Sequence, residues 1–320
     1  MVLRRGILQG AVLALVGCGR SPPRLPSRWG VAGLGRPRSL STAGGGLFVI
    51  DDSPESVGGG VLFRIPLGGG LARALVFESH GLTGAAVTAT ALVWAVRRSG
   101  ELRVATQAQP SAPRVLATRP RGFMSAMVTD GTEVYCSSPD GPTVAVPLAG
   151  GPERVIFPAP STALSLAPDG LVFVAGGAVR WAPRRGGATA VLAPSHGVAA
   201  IAVRGAYAYW AEQARPRGTL TGSLRRVHLA GGDVETLVDG IDDPDALAVG
   251  GERAWYAGTH FVPEARVGVV ALGSVTIADR RHHVSESAVA VTSLLCEGPS
   301  LYLAGAVGHK IGGVVQRRPA

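Results

Sequence analysis

Lysine occurs once in the 320 residues, at Lys310, and cysteine three times, while aromatic residues make up only 5%. No apolar run beyond the first twenty residues is long enough to span a bilayer as a helix. Nor does any stretch hold a 3.6-residue apolar period. The 46 glycines and 23 prolines break each candidate, which excludes long helices. Familiar catalytic signatures are missing too. There is no Gly-x-Ser-x-Gly elbow, no His-Glu-x-x-His, no phosphate-binding loop and no Cys-x-x-Cys or other zinc spacing. The acidic pairs Asp51-Asp52 and Asp242-Asp243 lack the ligand order of a calcium loop and read as solvated turn residues.

With lysine so scarce, the formal charge of +9 is carried by arginine. The pairs Arg97-Arg98, Arg184-Arg185 and Arg225-Arg226 lie far apart in the chain. They form no basic stripe interleaved with aromatics, so no nucleic acid partner is implied.

What the chain does have is a repeat. Between Ala199 and Gly240, four short alternating apolar segments are separated by glycine-containing turns, the pattern of four antiparallel strands. The second strand of that unit, Ala208-Tyr209-Trp210, has counterparts along the whole chain. They are Leu47-Phe48-Val49, Leu92-Val93-Trp94, Val134-Tyr135-Cys136, Leu171-Val172-Phe173, Ala254-Trp255-Tyr256 and Leu301-Tyr302-Leu303. A second landmark, a Gly-Gly turn after the third strand, recurs at Gly68-Gly69, Gly150-Gly151, Gly186-Gly187 and Gly231-Gly232. Four strands repeating about every 40–45 residues is the spacing of β-propeller blades. The expected fold is therefore all-β, a seven-bladed β-propeller over residues 29–320 with four antiparallel strands per blade. The seventh unit has three strands of its own, the last at Gly313 to Arg317. A strand at Trp29 to Ala32 is expected to complete it and close the ring.

Ahead of the propeller, Arg4 and Arg5 precede an apolar stretch from Gly6 to Val16 that ends in Leu15-Val16-Gly17-Cys18. This resembles the lipobox of bacterial lipoproteins. The resemblance implies a signal peptide over residues 1–17, cleavage after Gly17 and lipid on the Cys18 thiol, so that the membrane is one partner. Residues 18–28, with Pro22, Pro23 and Pro26, then form a stiffened tether. Gly19 stands where an inner-membrane retention signal would have aspartate, which favours the outer membrane. The paired aromatics Tyr209-Trp210 and Trp255-Tyr256 make the propeller similar to bacterial blades of the YWTD and NHL kind, although no unit keeps a full Tyr-Trp-Thr-Asp.

The remaining chemistry rests on histidine. Loops between blades and loops between second and third strands open on one face of a propeller. The spacing places His80 and His196 in inter-blade loops, His260 and His309 in second-to-third loops, and His282-His283 in the loop joining units six and seven. His260, His282, His283 and His309, with Glu264 and Glu286, are thus expected to gather on the rim of those two units. There they could bind a polar ligand or a divalent metal; no other cofactor is expected. Cys136 and Cys296 belong to well-separated blades and are expected to remain free thiols. The function that follows is an envelope-tethered binding or scaffolding module for a protein, polymer or polar ligand. The alternative is a lyase or lactonase working in the central funnel.

Overall fold

The computed structural model describes residues 30–52, 59–119, 126–214, 221–262, 267–287, 290–306 and 313–319. Cys18 and the tether, Trp29, Glu264 and His309 lie outside them. Every regular element among the described residues is a β-strand, and the strands form seven four-stranded antiparallel sheets. Six sheets are built from consecutive strands, here called inner, second, third and outer. The seventh takes Ala290–Glu297, Ser300–Ala306 and Gly313–Pro319 from the end of the chain and Gly30–Leu34 from its beginning. Gly30–Leu34 pairs antiparallel with Gly313–Pro319, Val31 opposite Val315, so the first strand completes the last blade as expected. The seven inner strands touch in sequence order, and Ala290–Glu297 touches Pro37–Ala43, which closes the ring.

The core is a set of layers between neighbouring blades. Phe48, Ile50 and Leu62 of blade 1 pack with Leu82, Leu92 and Trp94 of blade 2, and equivalent layers recur around the ring. Residues of the second strands are almost all inaccessible to water. Burial of one such large apolar side chain contributes roughly 1.5–3 kcal/mol, which makes these strands the main source of stability. Two indole tips inside the layers are matched: Trp94 Nε1 donates to Glu78 at 2.8 Å and Trp210 Nε1 to Glu212 at 3.0 Å. Asp51 departs from the solvated-turn reading. It is buried at the end of Gly46–Asp51 and accepts the N–H groups of Gly35 and Arg36, which link the closing strand to the first inner strand.

The Gly-Gly landmark has a conformational cause. In each case the first glycine N–H donates to the residue three back, as Gly150 to Pro147 at 3.0 Å. The two glycines then take φ between +79° and +95° and between +120° and +128°. Both values are strained for a residue with a Cβ. In blade 1 the pair in this conformation is Gly69-Gly70, one residue later than the sequence pattern suggests.

Candidate functional site

The inner strands enclose an axial channel, and their first residues set its mouth. Register shifts mark a β-bulge at the start of five of them, between Arg38 and Leu40, Leu82 and Gly84, Val198 and Ala200, Pro244 and Ala246, and Val291 and Ser293. A bulge leaves one residue out of the ladder and re-aims its side chain. The extra residues Ser39, Ala199, Asp245 and Thr292 all line a cavity of about 620 Å³ on the axis. Ser39 adopts φ of +55°, a conformation in which a non-glycine residue is strained. The mouth opens on the upper face, where inter-blade and second-to-third loops emerge.

Two lining residues are ionisable, Arg38 and Asp245. Arg38 is engaged: its Nε donates to Asp52 at 2.7 Å, and its other nitrogens donate to the Thr83 and Leu82 carbonyls at 3.0 and 2.6 Å. Arg97 reaches the same Asp52 oxygen at 3.2 Å. From blade 5, Gln213 Nε2 donates to Asp243 Oδ1 at 2.7 Å and lies 3.4 Å from Asp245 Oδ1 at the start of blade 6. Channel walls and the neighbouring Asp243 charge together push the Asp245 carboxyl above the usual aspartate range. The rest of the lining is mainly alanine, leucine, serine and threonine. The mouth thus carries arginines around blades 1 and 2 and a carboxylate pair on blade 6. Sequence reading missed these residues because only the fold turns Asp245 towards the axis.

The histidines are distributed differently from the expectation. His80 and His196 do lie between outer and inner strands of successive blades, on the upper face. His260 lies near the upper end of Arg253–Val262, opposite Val269. His282 and His283, however, begin the outer strand of blade 6, His282–Ser287, opposite Val275 and Ser274 at the lower face. Six strand residues separate the levels of Val269 and Val275, about 20 Å at ~3.3 Å per residue. His282 and His283 therefore do not join His260. They follow the turn from the third to the outer strand, which the sequence does not mark because it lacks the Gly-Gly pair and is made by Arg280 at φ +57°. Glu286 sits higher on the same outer strand, opposite Ala271. Among the described residues no three His, Cys, Asp or Glu side chains are grouped as a metal ion would require.

His282 has a local partner instead. Burial and the adjacent His283 lower its pKa, while burial pushes the Tyr256 hydroxyl up to about 12. A protonated hydroxyl beside a neutral imidazole donates to its Nε2, and these two atoms are in hydrogen-bond contact. Cys136 and Cys296 are free, as expected, and burial raises their thiols to about 12 and about 11.

No protein-family model and no curated protein matches the chain. Solved structures do resemble it in fold. A virginiamycin B lyase from Staphylococcus aureus aligns with a TM-score of 0.65 at 12% identity, over 89% of this chain and 95% of the lyase. The β-propeller domain of Myceliophteria thermophila Cps50 (Swd1) aligns with a TM-score of 0.65 at 12% identity, over 89% and 98%. A puromycin-hydrolyzing peptidase of Mycobacterium tuberculosis aligns with a TM-score of 0.64 at 17% identity, over 89% of this chain. The match takes in 51% of the peptidase, so the chain spans about half its length. These likenesses are of the fold alone, which a lyase, a peptidase and the Cps50 domain share.

Proposed function

We propose that the protein is a lipid-anchored binding propeller of the YWTD/NHL-like kind, displayed from the cell envelope with the outer membrane favoured. Its channel mouth receives an envelope protein or a polar ligand. The observation that carries this reading is the channel itself. Its walls are small polar and aliphatic side chains with leucines among them, one of its two ionisable groups is tied up by Asp52, and the other, Asp245, faces the cavity. Such a mouth suits recognition of a polar or cationic group entering from above. The raised Asp245 pKa favours a second reading, a funnel enzyme using that carboxyl as a general base, since displaced pKa values gather at catalytic sites.

Photocrosslinking in intact cells separates these readings from a passive disc. A photoreactive residue at Ala199 in the mouth should capture one defined partner or ligand, and the same residue at Val155 on an outer strand should not. Asp245→Arg should lower that capture by about tenfold or more by inverting the charge that meets the ligand. Equal labelling from both positions, or capture indifferent to Asp245→Arg, would remove the mouth as the binding site. A ligand that is chemically changed by the wild type and bound unchanged by Asp245→Asn would establish the enzyme.

A further inference from the structure

The lower face carries a second site, independent of the channel. In blade 6 the strands Arg253–Val262, Val267–Thr276 and His282–Ser287 set Arg253 opposite Thr276, and Trp255 opposite Ser274 and His283. Directly paired residues share one side of a sheet. That side faces blade 7, because Leu272, two residues from Ser274, packs with Leu301 and Leu303. A small cavity of about 140 Å³ opens there at the lower end, lined by Arg253, Ser274, Thr276, Arg281, His282 and His283. Each of the six can donate hydrogen bonds, two are permanent cations, and none is a carboxylate.

The surroundings supply further donors. Arg253 lies over the Trp255 ring, 5.8 Å from its centroid, and makes no ion pair among the described residues. The Trp255 Nε1 is buried without a hydrogen-bond partner among the described residues. Arg318 pairs with Leu301, so it stands on the side of blade 7 that faces the same cleft, at the same end. Its Nε is also buried and unpartnered among the described residues, and burial lowers its pKa. Arg281 rests on Asp279 at 2.5 Å, an exposed contact that a stronger anion can replace. Trp255 and Arg318 stand behind the cavity wall, and the donors that line the cavity itself would together satisfy an oxyanion of several oxygens.

We propose that Arg253, Ser274, Thr276, Arg281 and His283 form a binding pocket for a phosphoryl group. It is either free phosphate or the headgroup of an anionic lipid. The pocket needs no membrane anchor to bind phosphate.

The test uses the full chain in neutral detergent at constant ionic strength. Inorganic phosphate and dihexanoyl phosphatidic acid are titrated against the melting temperature, with chloride and dihexanoyl phosphatidylcholine as controls. Either phosphate probe should raise the melting temperature over its control. A response to both assigns a free oxyanion site, and a response to the lipid alone assigns a headgroup site. Arg253→Gln and Thr276→Val should each weaken the response, the arginine change by about tenfold in Kd, and Arg204→Gln on blade 5 should not. Two variants are used so that one misfolded protein does not decide the matter. No protection by either probe, or unchanged affinity in the folded variants, overturns the proposal.

Discussion

Asp130, in the turn between the inner and second strands of blade 3, accepts four hydrogen bonds. Thr132 N and Oγ1 and Glu133 N reach its Oδ1 at 2.9, 2.8 and 2.9 Å, and Tyr135 Oη reaches its Oδ2 at 2.9 Å. Burial opposes ionisation, but these donors outweigh it and hold the carboxyl at about 2, below its ordinary 3.8. A folded pKa below the unfolded one adds stability that is fully present above pH 3.8 and is lost as pH falls through about 2. Asp130→Asn should therefore cost stability at neutral pH and flatten the loss between those values. Urea unfolding of both proteins from pH 5 to 2 measures it, and parallel acid limbs would assign the effect elsewhere. In the sequence, Thr129-Asp130-Gly131-Thr132 carries only the residue types of a turn. Its hold on Tyr135, a residue wholly buried in the core, comes from the folded strand.

At the scale of the element, the closing strand joins the two ends of the described chain in one sheet. Without Gly30–Leu34, the edge of Gly313–Pro319 is exposed, and Val315, fully buried, loses its cover. A chain beginning at Arg36 should aggregate or lose much of its thermal stability, whereas removal of residues 1–26 should be nearly neutral. Asp51→Ala should fall between them. It leaves the N–H groups of Gly35 and Arg36 without their acceptor, at a cost of about 1–3 kcal/mol. Melting curves of the three variants test the order. Equal melting temperatures for the two truncations would show that closure adds nothing. Strand counting revealed this closure in advance, but it placed the strand at Trp29 to Ala32 where the ladder runs from Gly30 to Leu34. The buried role of Asp51 was hidden, because an acidic pair after an apolar run looks the same in a solvated turn.

For the whole molecule, the two faces have different work under the proposed function. The upper face holds the channel mouth with Asp245, and the lower face holds the basic pocket of blade 6. A lipid on Cys18 would hold the molecule at a membrane. Cys18→Ser should then move the protein from the detergent phase to the aqueous phase in phase-separation assays. Several acyl chains on that one residue would account for firm anchoring. Identical partitioning of mutant and wild type would end the lipoprotein reading and leave both sites untouched.

The fold was legible because its signals are local. Alternation of period two, the Gly-Gly turn that only a residue without Cβ adopts freely, and the count of strands at the two ends all act over a few neighbouring residues. Together they determine four-stranded blades and a closed ring of seven. The sites were not legible, because they depend on relations between blades. Asp245 reaches the axis through a bulge, a shift of one residue that no composition announces. His282 and His283 stand on the lower face because they follow the third-to-outer turn of blade 6, and that turn was hidden in the sequence because Arg280 makes it without a Gly-Gly pair. Arg253 and Arg318 face one cleft because blade 7 packs on blade 6, and that packing is decided by apolar layers such as Leu272 against Leu301, far apart in the chain. Sequence determined the blades; the side chains that meet between and beneath them were decided by how the sheets twist and stack.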